Sequence, residues 1–169
     1  MLIYLCRHGI AAEFGESGAR TDAERPLTSD GLKKLREAAK GYRKAVERPR
    51  RLFTSTLLRA RQTGQALGEI MGIDALAEET PLLVPEADPA RTLAWLQAEL
   101  CDQQNPAPLL LVGHEPHLGE LLGLLLTSTQ RTSIPFKKGM IVGVEIEEPQ
   151  TMVGRLVLAL TQREGRDLG

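Results

Sequence analysis

The chain has 169 residues, of which 42% are hydrophobic and 25% are charged, a composition typical of a folded globular protein rather than a disordered or fibrous one. Its net charge of −1 argues against general binding to nucleic acid or to a membrane surface. No signal peptide or transmembrane stretch is evident, and two cysteines make no disulfide framework. We therefore expect one domain over residues 1–169, in the cytoplasm, with no nucleic-acid or membrane partner.

The first predicted strand, residues 2–6, is apolar at every position, which is typical of a strand buried on both faces of a parallel sheet. Arg7, His8 and Gly9 follow it directly. In open α/β sheets the ligand crevice lies beyond the carboxyl ends of the strands, so this triplet suggests an anion site. Residues 10–26 are rich in glycine and charge, which predicts a loop over that end of the sheet.

Two helices, over about 31–46 and 56–71, are predicted on either side of a short strand at 51–54. Residues 76–85 are ambiguous between a short strand and turns. A further helix should begin at Asp88-Pro89, because a capping carboxylate followed by proline is a favoured helix start.

The second fully apolar strand is predicted at 108–112, with a helix over 116–126 after it. The chain closes with two strands, 140–146 and 155–160, whose spacing resembles a hairpin. This order of elements predicts an α/β three-layer sandwich, in which a mostly parallel central sheet has helices on both faces.

Polar residues follow three of the predicted strands: Arg7 with His8, then Ser55 with Arg59, and finally His114. Because the carboxyl ends of parallel strands meet at one edge of a sheet, these clusters should converge. Two guanidiniums and two imidazoles with no obligatory carboxylate partner predict an oxyanion pocket, since arginine presents planar donors that match phosphate. Phosphate is therefore the leading ligand.

The identity of the nucleophile can be inferred by excluding other phosphatase chemistries. The Walker phosphate loop and paired metal-binding aspartates are absent, and Ala12 stands where a Cys-x5-Arg loop beginning at Cys6 would need arginine. Histidine remains, because a neutral imidazole can attack phosphorus and form a phosphoramidate. Charge repulsion from Arg7 and Arg59 should favour the neutral form of His8.

Four segments, in order, resemble the histidine phosphatase superfamily in its phosphoglycerate mutase-like branch, and most of all the SixA-type protein phosphohistidine phosphatases. They are Arg7-His8-Gly9, Arg25-Pro26-Leu27-Thr28 with Gly31, the stretch 54–63, and Val112-Gly113-His114-Glu115-Pro116. The resemblance implies the family's fold, with no metal and no other cofactor. It also implies that His8 is the phosphorylated nucleophile, and that Arg7, Arg59 and His114 bind the phosphoryl group.

The chain departs from the family at two points. Thr56 follows Ser55 where the family often has proline, and the acid that protonates an alcohol leaving group has no clear match, although Glu79 and Glu86 lie in roughly the right region. A missing acid suits an imidazole leaving group. The predicted function is therefore hydrolysis of phosphohistidine on a protein such as a phosphotransfer domain, a role in signal transduction, with a small-molecule phosphomonoester phosphatase as the alternative.

Two remoter alternatives remain. His114 and His117, together with His8, could form a three-histidine zinc site that generates a bound hydroxide, although Pro116 disturbs the helical register of the pair. A non-catalytic binder of phosphate or phosphoproteins is also possible on this fold, but it would not need His8.

Three other side chains have smaller predicted roles. Ser55 is most simply a residue at the helix N-terminus, and in its functional role it would donate a secondary hydrogen bond to the phosphate. Lys137 and Lys138 are most simply a solvated pair before a strand. If they have a function, it is to guide an acidic partner protein to the site.

Overall fold

The computed structural model describes residues 1–101, 107–128, 132–148 and 150–169. Six strands form one sheet: β1 (Leu2–Arg7), β2 (Arg51–Thr54), β3 (Glu78–Glu79), β4 (Leu109–Gly113), β5 (Ile141–Glu148) and β6 (Val153–Leu160). Their spatial order is β3-β2-β4-β1-β5-β6. The first four strands are parallel, whereas β5 runs antiparallel to β1 and β6 antiparallel to β5. The mostly parallel sheet and the closing hairpin are thus confirmed.

Five α-helices accompany the sheet: α1 (Ser29–Ala45), α2 (Leu58–Met71), α3 (Pro89–Cys101), α4 (His117–Thr127) and α5 (Gln162–Leu168). Short 3-10 helices span Asp22–Glu24 and Pro81–Leu83. The ambiguous segment 76–85 is therefore a two-residue strand followed by a 3-10 turn. Within the described ranges, no helix is long and apolar enough to cross a bilayer.

Helix starts differ from the predictions by a few residues for local reasons. The hydroxyl of Thr28 accepts a hydrogen bond from the Gly31 amide at 2.9 Å, so α1 starts two residues before the predicted position 31. The Ser55 hydroxyl accepts from the Leu57 amide at 3.2 Å, which turns the chain before α2 and delays that helix to Leu58.

Two hydrophobic clusters cover the two faces of the sheet. Ile3 and Leu5 of β1 belong to the cluster that includes α3 and α4, whereas Tyr4 and Cys6 belong to the cluster that includes α1 and α2. All four side chains are at most 3% exposed, because successive strand residues point to opposite faces and both faces are covered. The continuous apolar run and the three-layer arrangement are both confirmed.

Candidate active site

A cavity of about 330 Å³ opens beyond the carboxyl ends of β1 and β4. Its lining consists of Arg7, His8, Glu13, Arg25, Arg59, Pro85, His114, Glu115 and Lys138. The structure thus brings together Arg7, His8, Arg59 and His114, the four residues predicted to bind or attack a phosphoryl group. Ser55, Glu79 and Glu86 are not part of the lining.

The His8 ring is held in one tautomer. Its Nδ1 lies 2.7 Å from the Gly9 carbonyl oxygen, and because a carbonyl can only accept, Nδ1 must carry the proton. The lone pair is therefore on Nε2. The His8 amide donates to the Gly113 carbonyl at 3.0 Å, so main-chain bonds tie this residue to the end of β4.

The surroundings of His8 favour the neutral ring. Its side chain is buried, and burial is the main reason that the pKa of His8 falls to about 3. The positive charges of Arg59, Arg7 and Lys138 lower the pKa further, whereas the bond to Gly9 opposes the change. At neutral pH His8 is an uncharged imidazole with a defined lone pair.

His114 lies next to His8, with their ring centroids 4.9 Å apart. Burial, followed by the neighbouring His8 and Arg59, lowers the pKa of His114 to about 2. Its Nε2 is 2.9 Å from the Ser55 hydroxyl, which is completely buried. The Ser55 hydroxyl thus contacts the His114 ring and lies outside the cavity lining.

Arg7 is fixed by the main chain of the segment before β5. Its Nη1 donates to the Phe136 carbonyl at 2.7 Å, and Glu115 accepts from the Phe136 amide at 3.1 Å. The buried Nε of Arg7 has no hydrogen-bond partner among the described residues. Arg7 nevertheless lines the cavity, so its guanidinium lies next to the space that a ligand would occupy.

Arg59 has a carboxylate partner, which corrects the expectation that the pocket arginines have none. The partner is Asp22: Nη1 of Arg59 donates to its carbonyl at 2.7 Å, and Nη2 to its carboxylate at 2.8 Å. Arg25 donates to the other carboxylate oxygen of Asp22 at 2.7 Å. These two arginines, Arg25 first, keep the pKa of Asp22 below its usual value. The predicted loop over residues 10–26 thus supplies a bridge between two cavity arginines.

Thr63 connects Arg59 to the strand end. Its hydroxyl donates to the Arg59 carbonyl at 2.7 Å and accepts from the Gly9 amide at 3.1 Å. Since Gly9 also holds the His8 ring, α2 and the end of β1 have a fixed relative position at the site.

The two glutamates considered as acids lie outside the cavity. Glu79 is 3.4 Å from Arg61 in an exposed ion pair, and Glu86 is an exposed neighbour of the lining residue Pro85. The carboxylates that do line the cavity are Glu13 and Glu115. Burial raises the pKa of Glu115, although its hydrogen bond to Phe136 and the charge of Arg7 oppose this. Sequence reasoning missed Glu115 as a site residue, although it directly follows His114.

His117 does not lie where the zinc alternative requires it. This side chain is buried, and its Nε2 lies 2.9 Å from the Thr92 hydroxyl of α3. Among the residues that the structure describes, no three His, Cys, Asp or Glu side chains are grouped so that they could hold a metal ion. The pairing of His114 with His117 that the zinc alternative requires is not formed, since Nε2 of His117 faces Thr92 whereas Nε2 of His114 faces Ser55.

Comparison with known proteins places the chain in a family. Residues 3–81 match the sequence model of the histidine phosphatase superfamily (branch 1). The chain is 32% identical over 151 residues to the phosphohistidine phosphatase SixA of Escherichia coli, covering 88% of this chain and 87% of that protein. It is 33% identical over 150 residues to an uncharacterized protein of Picosynechococcus, covering 85% of this chain and 84% of that relative.

A solved structure agrees with these sequence matches. The protein histidine phosphatase SixA complexed with tungstate superimposes with a TM-score of 0.83 at 29% identity, covering 96% of this chain and 98% of that one. The resemblance noted in the sequence is confirmed by these matches and by the fold. The chain therefore belongs to the histidine phosphatase superfamily and is a histidine-nucleophile phosphatase.

Proposed function

We propose that this phosphatase removes the phosphoryl group from phosphohistidine on a partner protein, without a metal ion, through a covalent intermediate on His8. The state of the His8 ring carries the proposal. A buried neutral imidazole, with Nδ1–H held by Gly9 and the lone pair on Nε2, is the form that can attack phosphorus. The similarity to SixA, which is named a phosphohistidine phosphatase, supports the substrate class.

In the first step, Nε2 of His8 forms a bond to phosphorus while the bond from phosphorus to the substrate imidazole breaks. The proton stays on Nδ1 throughout, hydrogen-bonded to the Gly9 carbonyl. In the second step, water attacks phosphorus, the bond to Nε2 breaks, and His8 leaves as the same neutral tautomer with which it began. The water adds its oxygen and both of its protons to the phosphoryl group, which leaves as inorganic phosphate, so His8 itself exchanges no proton.

Cationic and hydrogen-bonding groups around His8 would hold the phosphoryl oxygens. Arg7, Arg59 and His114 all line the cavity, and the two arginines offer guanidinium hydrogens there. Phosphoryl transfer builds charge on the equatorial oxygens, so preorganised donors stabilise the transition state more than the free substrate.

An imidazole leaving group requires no acid from the site. A substrate imidazole that is protonated on its other nitrogen departs as a neutral ring and needs no proton at the breaking bond. An alcohol leaving group needs an acid there. Glu79 and Glu86, the acids suggested by the sequence, lie outside the cavity lining.

The cellular compartment is proposed from Cys6. Its buried thiol forms no disulfide, which suits a reducing compartment, and we propose the cytoplasm.

One observation favours the phosphomonoester alternative: Glu13 and Glu115 do line the cavity, and burial raises the pKa of Glu115. A carboxylic acid in that position could protonate an alcohol oxygen. The experiment must therefore compare both substrate classes on the same enzyme.

The decisive measurement compares kcat/KM on a histidine-phosphorylated phosphotransfer domain and on a panel of sugar phosphates, in the presence of a chelator. We expect hydrolysis of the phosphoprotein at full rate in chelator. Acid-labile phosphate should be trapped on His8 after rapid quenching, and His8→Ala should abolish it. Higher kcat/KM on a sugar phosphate would support the monoester alternative, and loss of activity in chelator would overturn metal independence.

A further inference from the structure

The turn before β5 places a lysine in the cavity. Lys138 is half-buried and lines the cavity together with Arg7 and His8. Its neighbour Lys137 is exposed and is not part of the lining. The two adjacent lysines therefore have different surroundings, although the sequence alone treats them as one solvated pair.

Main-chain hydrogen bonds fix this turn to the strand end that carries His8. The Gly139 amide donates to the carbonyls of Arg7 at 3.1 Å and His8 at 3.0 Å. The buried hydroxyl of Tyr42 donates to the Gly139 carbonyl at 2.6 Å. Gly139 has a φ of +72°, a conformation that favours glycine. These bonds join the turn that carries Lys138 to the strand end that carries the proposed nucleophile.

The charge of Lys138 is less compensated than that of two other cavity cations. Arg25 and Arg59 both donate to the carboxylate of Asp22. Within the described part of the chain, no carboxylate lies within the 4.0 Å ion-pair distance of Lys138. The electrostatic effect of Lys138 nevertheless reaches His8, whose pKa it lowers. A cation close to the nucleophile and lacking an anionic partner is well placed to receive an anionic ligand.

We propose that Lys138 binds a phosphoryl oxygen of the substrate, beside Arg7, Arg59 and His114. This inference rests on the proposed function, from which it takes the phosphoryl group. An ammonium on a flexible stem acts as a point charge, so Lys138 can keep its contact while the phosphoryl group moves from the substrate to His8. Lys137 has no part in this contact.

The test is the binding of tungstate, a tetrahedral dianion, measured by calorimetry with the full chain. Loss of one charge-assisted contact should weaken binding about tenfold in Lys138→Gln. Lys137→Gln is the matched control, because it removes the same charge one residue away, and it should change the dissociation constant less than about twofold because exposed charges are screened. Lys138→Arg should restore most of the affinity.

Calorimetry separates this inference from the proposed function, since it does not require turnover. If the protein fails to hydrolyse phosphohistidine but Lys138→Gln selectively weakens tungstate binding, the function is wrong and the role of Lys138 stands. If hydrolysis proceeds and tungstate binding is unchanged in Lys138→Gln, the role of Lys138 is wrong. Equal losses in both lysine variants, or no tungstate binding by the wild-type protein, would also overturn it.

Discussion

Two walls of the cavity are built by different kinds of contact. The strand wall comprises Arg7, His8 and His114, which follow or end β1 and β4 and are held mainly by buried hydrogen bonds. The loop wall comprises the lining residues Glu13 and Arg25 together with Asp22, which does not line the cavity itself, and it is held in large part by ion pairs. The carboxylates in those pairs are 56% to 72% exposed, and such exposed pairs typically contribute less than about 1 kcal/mol each.

This difference separates two tasks. The reacting imidazole must be placed within a fraction of an ångström, and the buried hydrogen bonds of the strand wall can do that. The loop wall instead orients Arg59 through its contact with Asp22, and the exposed ion pairs of this wall require little free energy to break. We therefore expect substitutions in the strand wall to affect chemistry strongly, and substitutions in the loop wall to affect it weakly.

The largest effect is expected where the strand wall loses its nucleophile. His8→Ala should reduce single-turnover hydrolysis of a phosphohistidine protein by about 10,000-fold or more, as loss of a nucleophile does in other covalent mechanisms. Tungstate binding by the same variant should persist, which would show that the cavity is still formed. Acid-labile phosphate on a different residue of the variant would contradict the assignment.

Arg59 connects the two walls, and Arg61 in the same helix is its matched control. Arg59 is 5% exposed and lines the cavity, whereas Arg61 is exposed and pairs with Glu79. Arg59→Ala should lower kcat/KM by about 100-fold, because charge-assisted contacts are worth about 1.5–3 kcal/mol each. Arg61→Ala should change it less than about twofold. Comparable losses in the two variants would remove the distinction between them.

The strand wall should also make stability depend on pH. His8 and His114 have folded pKa values of about 3 and 2, far below the unfolded value of about 6.5. The unfolded chain therefore binds protons that the folded chain does not, so stability is lost as the pH falls below 6.5. Each histidine should lower the free energy of unfolding by about 2 kcal/mol between pH 7 and pH 5.

Urea unfolding at the two pH values tests this dependence, with His8→Gln as the comparison. The variant lacks one of the titrating rings, so its loss of stability between pH 7 and pH 5 should be smaller by about 2 kcal/mol. An identical pH dependence in the two proteins would mean that His8 titrates normally in the fold.

The smallest effect is expected in the loop wall. Asp22→Asn weakens the bridge between Arg25 and Arg59 but keeps the shape of the side chain, so kcat/KM should fall about fivefold through poorer alignment of Arg59. Asp30→Asn removes an exposed carboxylate that pairs with Lys34 on α1, and it should have no effect on kcat/KM. Faster turnover by Asp22→Asn would indicate that Asp22 competes with the substrate.

The strand wall could be predicted from sequence because its signals are local. The apolar run before Arg7-His8-Gly9 and the run before Gly113-His114 indicate buried strands, and parallel neighbours bring their ends together. The loop wall could not be predicted in this way. Asp22 meets Arg59 across 37 positions of sequence, through an irregular segment whose path no periodicity encodes.

Other differences have equally specific causes. Helix α5 was missed because residues 162–168 are few and mostly polar, although Thr161 and Glu164 form a capping box that signals a helix start. The sequence shows that Ser55 follows a strand, but it does not show that the hydroxyl lies within hydrogen-bond distance of the His114 ring. Lys137 and Lys138 looked alike for the same reason, since their separation depends on the path of a turn.

The antiparallel direction of β5 relative to β1 affects which substitutions the site can accept. A strand parallel to β1 would bring its carboxyl end to the cavity, but β5 brings its beginning, and with it the turn that carries Lys138. The site thus draws on a part of the chain that lies after the whole parallel half of the sheet. Residues in that turn can vary the charge presented to a substrate while β1, β4 and the hydrogen bonds of His8 remain untouched.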